Sequence, residues 1–306
     1  MKILLLGANG QLGRSFVEDG GLAARGELIV ATRDGTLWDG ERAEAADLSR
    51  PGLDRLLDRL APDLIVNAAA YTAVDRAEQE EALATRVNGE AVGELGAWAG
   101  AHGALLLHYS TDYVFDGSAT APYPVDAPTG PLGAYGRSKL AGEDALRASS
   151  ADHLILRTAW VYAPHGNNFL RTMLRLGAER DELRVVADQQ GAPTSTALIV
   201  RTSLALLDRW FAQPDARARL RGTHHLVASG HISWHGFATA IFDEAHARGL
   251  LPRVPRVQPI ATADYPTPAR RPAWSVLDNT GLGQLLGAPL LDWREGLREV
   301  MDRLAS

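Results

Sequence analysis

The segment KILLLGANGQLG, residues 2–13, decides the fold. A short apolar run, residues 3–6, leads directly into glycines at Gly7, Gly10 and Gly13. A continuous apolar run that ends in a turn is typical of a strand buried on both faces of a sheet. Glycines at this spacing allow a tight turn before a helix whose N-terminus faces the pyrophosphate of a dinucleotide. The segment therefore predicts a dinucleotide-binding strand–turn–helix unit; the alternative is a glycine-rich turn without a ligand.

The same alternation of strand and helix continues through the first half of the chain. Further apolar runs cover residues 27–33, 64–69, 104–111 and 154–162. Helical patterns begin near Gln11, Leu53, Arg76 and Tyr135. Continuous apolar strands separated by helices indicate a parallel sheet that is covered on both faces. We therefore expect an α/β fold with a doubly wound, Rossmann-like parallel sheet and ligands at the carboxyl ends of its strands.

The second half predicts a smaller region that interleaves with this sheet. Turn-rich segments at 163–168 and 188–196 alternate with helical patterns near 169–180 and 196–212. We assign residues 1–162 to the dinucleotide-binding domain, with 196–222 returning to it. Residues 163–195 and 223–306 then form the C-terminal substrate-binding region.

The composition excludes several classes of protein. A net charge of −6 gives no electrostatic reason to expect nucleic acid as a partner. Without cysteine there is no disulfide and no thiolate chemistry, which suits a reducing cytoplasm. No segment approaches the ~20 apolar residues that span a membrane, and the opening apolar run is too short for a signal peptide. We expect a cytoplasmic protein with no membrane partner.

A tyrosine and a lysine in YGRSK, residues 135–139, predict the catalytic centre. Of 31 basic residues only Lys2 and Lys139 are lysines, so a lysine four residues after Tyr135 is unusual. The two side chains share one face of a helix. We expect the Lys139 ammonium to lower the pKa of the Tyr135 phenol, which otherwise titrates near 10, and to donate to the nicotinamide ribose.

Thr111 ends the fourth predicted strand, at the edge where ligands bind. Its hydroxyl can hydrogen-bond a substrate oxygen that gains charge during hydride transfer. Alone, it would more often bond to the backbone at the strand end. Thr111, Tyr135 and Lys139 together form the predicted catalytic set.

Arg33 predicts which dinucleotide is bound. An acidic residue at the end of the second strand usually binds the ribose 2′-hydroxyl of NAD, but here Thr32 and Arg33 precede Asp34. We therefore expect NADPH to be preferred, with NADH as a weaker alternative and a solvated arginine as the competing interpretation. The residues assigned to the cofactor are Gly7, Asn9, Gly10, Gln11, Leu12, Gly13, Thr32, Arg33, Asp47, Leu48, Ala68, Ala69, Ala70, Tyr71, Thr72, Tyr135 and Lys139.

Eight motifs together resemble the extended short-chain dehydrogenase/reductases. They are GANGQLG (7–13), NAAAYTAVDRAE (67–78), STDYVFDG (110–117), YGRSKLAGE (135–143), RTAWVYAPHGNNF (157–169), DQQGAPT (188–194), HLVASG (225–230) and YPTPARRP (265–272). The resemblance spans nearly the whole chain. It implies hydride transfer from NAD(P)H to the carbonyl of a dTDP-linked 4-keto-6-deoxy sugar. Tyr135 would donate the proton, Thr111 would polarise the carbonyl, and Lys139 would tune Tyr135 and hold the ribose.

The resemblance also assigns the substrate side. The assigned residues are Thr111, Asp112, Trp160, Asn167, Asn168, Arg270 and Arg271. Trp160 would lie beside the sugar or be a core aromatic of the fifth strand; Asn167 and Asn168 would position the substrate or satisfy a turn. The two arginines would bind the diphosphate or form a solvated basic loop. Tyr113 follows Asp112 where related dehydratases carry a second acid, which favours reduction over dehydration.

Metal binding is not assigned to any residue. His224 and His225 are adjacent, so on a strand they point to opposite faces, and no HExxH motif is present. Some members of the resembled family join subunits through magnesium, so Mg²⁺ and a homodimer stay open. The glutamate that those members carry after the third glycine is Ser15 here. Two other functions also stay open: a different sugar-nucleotide enzyme such as an epimerase, and a non-catalytic regulatory subunit.

Overall fold

The computed structural model describes all 306 residues as thirteen strands and twelve α-helices. The strands are β1 Lys2–Leu6, β2 Glu27–Thr32, β3 Glu44–Ala45, β4 Leu64–Asn67, β5 Leu105–Thr111, β6 Asp152–Thr158, β7 Val161–Tyr162, β8 Glu182–Val186, β9 Gln190–Gly191, β10 Thr194–Ser195, β11 Gly222–His225, β12 Ile232–Ser233 and β13 Arg256–Ile260. The helices are α1 Gln11–Asp19, α2 Leu53–Leu60, α3 Val74–Ala77, α4 Glu81–Thr85, α5 Ala91–His102, α6 Ala134–Ala148, α7 Phe169–Glu179, α8 Thr196–Ala212, α9 Arg217–Leu220, α10 Trp234–Ala247, α11 Thr280–Leu286 and α12 Trp293–Ala305.

A seven-stranded parallel sheet forms the centre of the larger domain. Its order is β11-β6-β5-β4-β1-β2-β3. Strand β1 therefore lies inside the sheet, with β2 and β3 on one side and the later strands on the other. Leu5 of β1 is in register with Val30 of β2 on one side and Val66 of β4 on the other. The strand order reverses between β1 and β4, and this switch point opens a crevice at the carboxyl ends of the strands. The predicted doubly wound, Rossmann-like sheet is confirmed.

Alternate side chains of the central strands pack into two separate hydrophobic cores, one on each face of the sheet. Leu5 and Val66 pack on the face covered by α1 and α8, whereas Leu4 and Ile65 pack on the face covered by α2, α5 and α6. Because successive side chains of a strand point to opposite faces, a strand buried on both sides must be apolar throughout. This requirement explains the uninterrupted apolar runs of the sequence.

The smaller region has its own core between α7, α10 and α12. Phe237, Phe242 and Trp293 are buried there. A two-stranded parallel sheet, β8 with β13, lies beside this core. The short pair β9 with β12 lies within the smaller region, and the pair β7 with β10 connects that region to the larger domain. No helix of the structure is both long enough and apolar enough to cross a membrane.

Three predicted boundaries differ from the structure. The strand expected over 154–162 breaks after Thr158, because Trp160 adopts a left-handed backbone with φ of 47° and residues 161–162 pair with β10 instead. Strand β11 pairs with β6 in the main sheet, so the domain boundary expected at residue 223 falls inside a strand. The helix expected near Arg76 divides into α3 and a longer helix, in which a π-helical turn at Arg86–Glu90 joins α4 to α5.

A buried ion pair fastens α6 to the main sheet. The Glu143 side chain is 0% exposed and accepts from Arg157 of β6, at 2.7 Å from Nη2 and 2.9 Å from Nε. Burial raises the pKa of Glu143, but hydrogen bonds and charge from Arg157 outweigh it and hold the pKa below its usual value. Helix α6 is therefore held to the sheet by the Glu143 carboxylate, which must stay paired with Arg157 because it is buried.

Replacing Arg157 with methionine should destabilise the fold by about 3 kcal/mol, because it leaves the Glu143 carboxylate buried with only the half-exposed Arg147 as a partner. The double variant Glu143→Gln/Arg157→Met should recover much of that loss, since no charge then stays buried. Urea unfolding of the three proteins measures the difference. Equal unfolding midpoints for the single and double variants would contradict the interpretation.

Candidate active site

The glycine turn and the loop after β4 are in direct contact at the crevice. Gly7 has a left-handed backbone, with φ of 81°, and a methyl group built on it would lie 2.6 Å from the Ala69 nitrogen. A methyl group on Gly13 would lie 2.2 Å from the Gly7 carbonyl oxygen. Only glycine fits at these two positions. The turn thus brings the N-terminus of α1 against Ala68 and Ala69.

The other residues assigned to the cofactor lie along the same side of the crevice. The Asn9 amide donates to the Thr36 carbonyl at 2.8 Å, and Thr32 is buried below the turn that follows β2. Hydrogen bonds from Ser49 lower the pKa of Asp47, and the Arg50 and Arg33 guanidinium groups lower it further. Arg33 is exposed and therefore available to a ligand phosphate. Of the remaining assigned residues, Gly10, Ala70 and Thr72 are exposed, Gln11, Leu12, Ala68 and Tyr71 are half-buried, and Leu48 is buried.

Tyr135 and Thr111 face each other where β5 ends and α6 begins. The Thr111 hydroxyl donates to Asp112 Oδ1 at 2.9 Å and accepts the Tyr113 N–H at 3.2 Å. The Tyr135 ring packs edge-on against Tyr113, with ring centroids 5.6 Å apart. Burial raises the pKa of the Tyr135 phenol, and its hydrogen bond with Thr111 offsets only part of that rise.

Lys139 points beneath the site into the sheet. Its Nζ donates to the Tyr109 carbonyl at 2.6 Å and lies 3.3 Å from His108 Nε2. Burial lowers the pKa of Lys139 to about 8, partly offset by Glu143. None of its hydrogen bonds reaches the Tyr135 hydroxyl, and it is not among the causes that shift the Tyr135 pKa. We expected the Lys139 ammonium to lower the pKa of Tyr135. This prediction is wrong, because the Lys139 amine bonds to β5 and the Tyr135 pKa is raised.

Asp112 is a buried carboxyl group beside Thr111. The residue is 2% exposed, and its Oδ2 atom has no hydrogen-bond partner. Burial raises the pKa of Asp112 from 3.8 to about 6, and hydrogen bonds from Ser275 and Thr111 offset this in part. A buried acceptor without a donor is costly to the fold and typical of a binding site.

Trp160 lies in an aromatic stack at the junction of the two regions. Its ring stacks on Trp234 with centroids 3.4 Å apart and only 4° between the planes. A methyl group on Gly191 would lie 2.3 Å from the Trp160 ring, so glycine is required there. The left-handed backbone of Trp160 costs on the order of 1–3 kcal/mol, which this packing offsets. The side chain leaves the strand and packs between the regions instead of lying in the sheet core.

The other predicted substrate residues divide by their contacts. The Asn168 amide donates to Gln11 Oε1 at 2.8 Å while its oxygen caps α7, so it satisfies a turn and joins the two regions. Asn167 and Arg270 are exposed. Arg271 pairs with Asp75 at 2.8 Å, and its buried Nη1 has no partner. Arg271 therefore ties the 265–272 loop to α3, which leaves Arg270 as the freely exposed guanidinium.

Asn88 is a site residue that the sequence analysis missed. It lies in the π-helical turn, is 1% exposed, and exchanges hydrogen bonds with the backbone of Tyr71, accepting at 2.8 Å and donating at 3.0 Å. Its amide also donates to Ser138 of α6 at 2.9 Å. It thus joins the 68–72 loop to the helix that carries Tyr135. No short motif in the sequence marks it.

Ser15, which stands where the resemblance implied a magnesium-bridging glutamate in some members, makes its hydrogen bond inside the chain. Ser15 is buried, and its hydroxyl donates to Thr196 of α8 at 2.8 Å. No three His, Cys, Asp or Glu side chains lie close enough together to hold a metal ion. His224 and His225 instead bond to the carbonyls of Leu220 and Asp278.

Replacing Asp112 with asparagine should stabilise the fold at high pH. The carboxyl pKa is raised on folding, so its contribution to stability is complete below pH 4 and is lost as the pH rises through 6. A rise of that size corresponds to about 3 kcal/mol. The variant should melt at a higher temperature than the parent at pH 8 and nearly equally at pH 4.

The matched control for this melting experiment is Asp116→Asn. Hydrogen bonds from Tyr123 and Ser118 lower the Asp116 pKa to about 2, so this carboxylate stabilises the fold at higher pH. Its replacement should therefore lower the melting temperature at pH 8. If the difference in melting temperature between the parent and Asp112→Asn were the same at every pH, ionisation of the buried Asp112 carboxyl group would not destabilise the fold, and the prediction would fail.

Comparisons with known proteins agree along the whole chain. The family model described as the RmlD substrate binding domain matches residues 1–306. A dTDP-4-dehydrorhamnose reductase of Burkholderia thailandensis is 48% identical over 297 residues, covering 96% of each chain. The enzyme of the same name from Escherichia coli K12 is 41% identical over 305 residues, which is 99% of this chain and 98% of the relative.

A solved structure agrees equally well. The dTDP-4-dehydrorhamnose reductase of Bacillus anthracis, in complex with NADP, superposes with a TM-score of 0.85 at 31% identity and covers 99% of both chains. Sequence and fold therefore lead to the same assignment. The chain belongs to the family described as the RmlD substrate binding domain and is an oxidoreductase with a Rossmann-like fold.

Proposed function

We propose that this protein reduces dTDP-4-dehydro-L-rhamnose to dTDP-L-rhamnose, with NADPH as the reductant. The observation that carries the proposal is the closeness of Tyr135 to Thr111 at the carboxyl end of β5: the Tyr135 ring packs against Tyr113, whose N–H donates to the Thr111 hydroxyl. Lys139 lies one helical turn further along α6. Two hydroxyl groups beside a dinucleotide crevice suit the reduction of a ketone. The names of the relatives at 48% and 41% identity supply the sugar.

The crevice fits a dinucleotide. Gly7 and Gly13 leave no room for side chains, so backbone can approach a pyrophosphate at the N-terminus of α1. Arg33 is exposed at the end of β2, and a guanidinium there suits a 2′-phosphate. When bound, NADPH supplies a hydride to the carbonyl carbon of the sugar. The NADP complex of the Bacillus anthracis relative supports this choice of cofactor.

Tyr135 supplies the proton that completes the reduction. Its pKa is raised by burial, so the phenol is protonated at neutral pH and ready to donate to a forming alkoxide. The Thr111 hydroxyl, which donates to Asp112 Oδ1, can rotate to donate to the same oxygen as negative charge develops. Asp112 Oδ1 then loses the hydrogen bond from Thr111, and it can accept one from a hydroxyl group of the sugar.

The substrate side has an aromatic and a basic part. The Trp160–Trp234 stack offers a flat apolar surface for a deoxy sugar. Arg270 is exposed on the loop that Arg271 and Asp75 hold in place, and its guanidinium suits the diphosphate. Asn167 is exposed in the turn before α7, where it can reach a polar substituent of the substrate.

The direct test is consumption of NADPH by the purified protein with dTDP-4-dehydro-L-rhamnose, with other nucleotide-linked ketosugars as controls. Tyr135→Phe should lower kcat by at least about 100-fold, because a general acid contributes that much, while NADPH affinity stays nearly unchanged. Full activity in this variant would remove Tyr135 as the acid. Cofactor binding without turnover in the parent would favour a regulatory subunit, and turnover without net NADPH consumption an epimerase.

Arg33 should determine the cofactor preference. Arg33→Ala should lower kcat/KM for NADPH by about 10- to 100-fold, the value of a charge-assisted hydrogen bond to phosphate, and leave kcat/KM for NADH nearly unchanged. Arg55→Ala, an exposed arginine on α2, is the matched control and should change neither. A parent protein that prefers NADH, or an equal loss with both cofactors, would contradict the role of Arg33.

A further inference from the structure

We propose that Glu78 is a positioning residue for Tyr135, because its carboxylate caps the first turn of α6 from outside the helix. Glu78 follows α3 directly, at the end of the segment 67–78. It would act on the reaction only by fixing where the Tyr135 phenol stands. The proposal rests on the proposed function for the role of Tyr135 as the acid, whereas the capping contact is a feature of the fold.

The N-terminus of α6 has no cap of its own. The residue at the N-cap position is Gly133, which has no side chain to accept a hydrogen bond. The first four N–H groups of a helix lack partners within the helix, so they need acceptors from elsewhere. Glu78 Oε1 accepts the Ala134 N–H at 2.8 Å, from 56 residues away along the chain. A carboxylate at this end also complements the helix dipole.

The absence of a side chain at Gly133 makes room for this carboxylate. A methyl group built on Gly133 would lie 2.5 Å from Glu78 Oε1, and apart from its neighbours in the chain it would meet only the Glu78 carboxyl group within 4 Å. The Gly133 backbone is extended, with φ of −136° and ψ of 171°, which any residue can adopt. Glycine is therefore required here for space and not for its backbone freedom.

The opposite side of the same helical turn is closed by packing. A methyl group on Gly136 would lie 2.3 Å from the Tyr113 carbonyl oxygen, so α6 begins in direct contact with the segment that follows Thr111. The Tyr135 ring packs edge-on against the Tyr113 ring. The turn that carries Tyr135 thus lies between Glu78 on one side and the end of β5 on the other. A shift of this turn would move the Tyr135 hydroxyl relative to Thr111.

Glu78 is presented by a segment that is itself held at both ends. Before Glu78, Asp75 of α3 accepts from Arg271 Nη2 at 2.8 Å, which ties α3 to the loop that carries Arg271. After Glu78, Glu80 accepts the Tyr71 hydroxyl at 2.6 Å, which ties the segment to the loop after β4. The carboxylate that caps α6 is therefore placed by contacts with both loops of the crevice.

The position of the phenol matters more than the strength of the cap. A general acid has to lie within hydrogen-bond reach of the oxygen that it protonates, and small displacements from that geometry are costly. Glu78 is exposed, so its removal leaves no buried charge behind and should cost the fold little. Loss of the cap should therefore appear in the chemical step and not in the binding of either ligand.

The kinetic test compares two replacements of Glu78. Glu78→Ala should lower kcat about 10- to 100-fold, the loss expected for a misplaced group, with KM for NADPH and for the sugar nearly unchanged. Glu78→Gln keeps an oxygen that can accept the Ala134 N–H, so its kcat should stay within about 3-fold of the parent. An unchanged kcat in Glu78→Ala, or an equal loss in both variants, would refute the proposal.

Gly133→Ala tests the same contact from the other partner. Its methyl group displaces the Glu78 carboxylate, so kcat should fall as it does in Glu78→Ala. Both changes remove one hydrogen bond, and the double variant should therefore lose little more than either single variant. Losses that multiply in the double variant would mean two independent effects and would contradict the proposal.

The matched control is Glu81→Ala. Glu81 lies on the same segment and also bonds to α6, but through the side chain of Arg137, at 2.8 Å from Nε, and both side chains are about half exposed. Exposed ion pairs contribute little, and this one does not reach the backbone of the first turn. Glu81→Ala should therefore leave kcat and KM unchanged. A loss as large as that of Glu78→Ala would overturn the specific role of the cap.

Hydrogen exchange tests the cap without substrate. The Ala134 amide hydrogen should exchange about 5- to 10-fold faster in Glu78→Ala and in Gly133→Ala than in the parent, the value of a helix cap. Exchange at the parent rate in Glu78→Ala would show that the Ala134 N–H does not depend on Glu78, and the proposal would be lost.

The position of the phenol can also be followed without turnover. Protein labelled with ¹³C at Cζ of tyrosine gives seven signals, and Tyr135→Phe assigns the one from Tyr135. This signal should shift in Glu78→Ala and in Gly133→Ala and stay in place in Glu81→Ala. An unmoved Tyr135 signal in Glu78→Ala would overturn the proposal. Neither NMR result depends on which sugar is reduced, so failure of the proposed function is distinguishable from failure of the cap.

Discussion

The buried face of helix α6 is the constraint on which the rest of the site depends. Tyr135, Lys139 and Glu143 follow one another at four-residue spacing, so they share one face of the helix, and the latter two lie beneath it against β5 and β6. Ionisable groups are buried only where partners replace water. Arg157 supplies the partner for Glu143, and the Tyr109 carbonyl with His108 supplies it for Lys139. These bonds fix where Tyr135 stands at the end of β5.

The switch point of the sheet brings the second half of the site to the same place. Gly7 and Gly13 allow the loop after β4 to lie against the start of α1. Asn88, in a π-helical turn, then holds the Tyr71 backbone and the Ser138 hydroxyl. The dinucleotide side and the catalytic helix are thus joined by one buried amide. An irregular turn inside a helix often marks a functional position.

The smaller region contributes through packing more than through charge. Trp160 is turned out of the sheet by its left-handed backbone and held against Trp234, while Gly191 leaves room for the ring. Asn168 connects this region to Gln11 at the start of α1. A substrate bound on the aromatic stack therefore lies between elements that are tied to each other. This geometry suits a reaction that needs two molecules aligned in one crevice.

The sequence alone determined the parallel sheet, the glycine turn and the placement of Tyr135 and Lys139 on one helix, because each of these follows from local spacing. A strand buried on both faces must be apolar, a crowded turn must be glycine, and a Y-x-x-x-K pair on a helix must share a face. Only the tertiary structure decided which residues partner them. His108 with Lys139, Asn88 with Tyr71, and Trp160 with Trp234 are brought together by strand order and packing, and no local pattern encodes contacts between distant segments. For the same reason the predicted effect of Lys139 on Tyr135 was wrong: spacing places two side chains on one face, but burial and the surrounding donors set their pKa values.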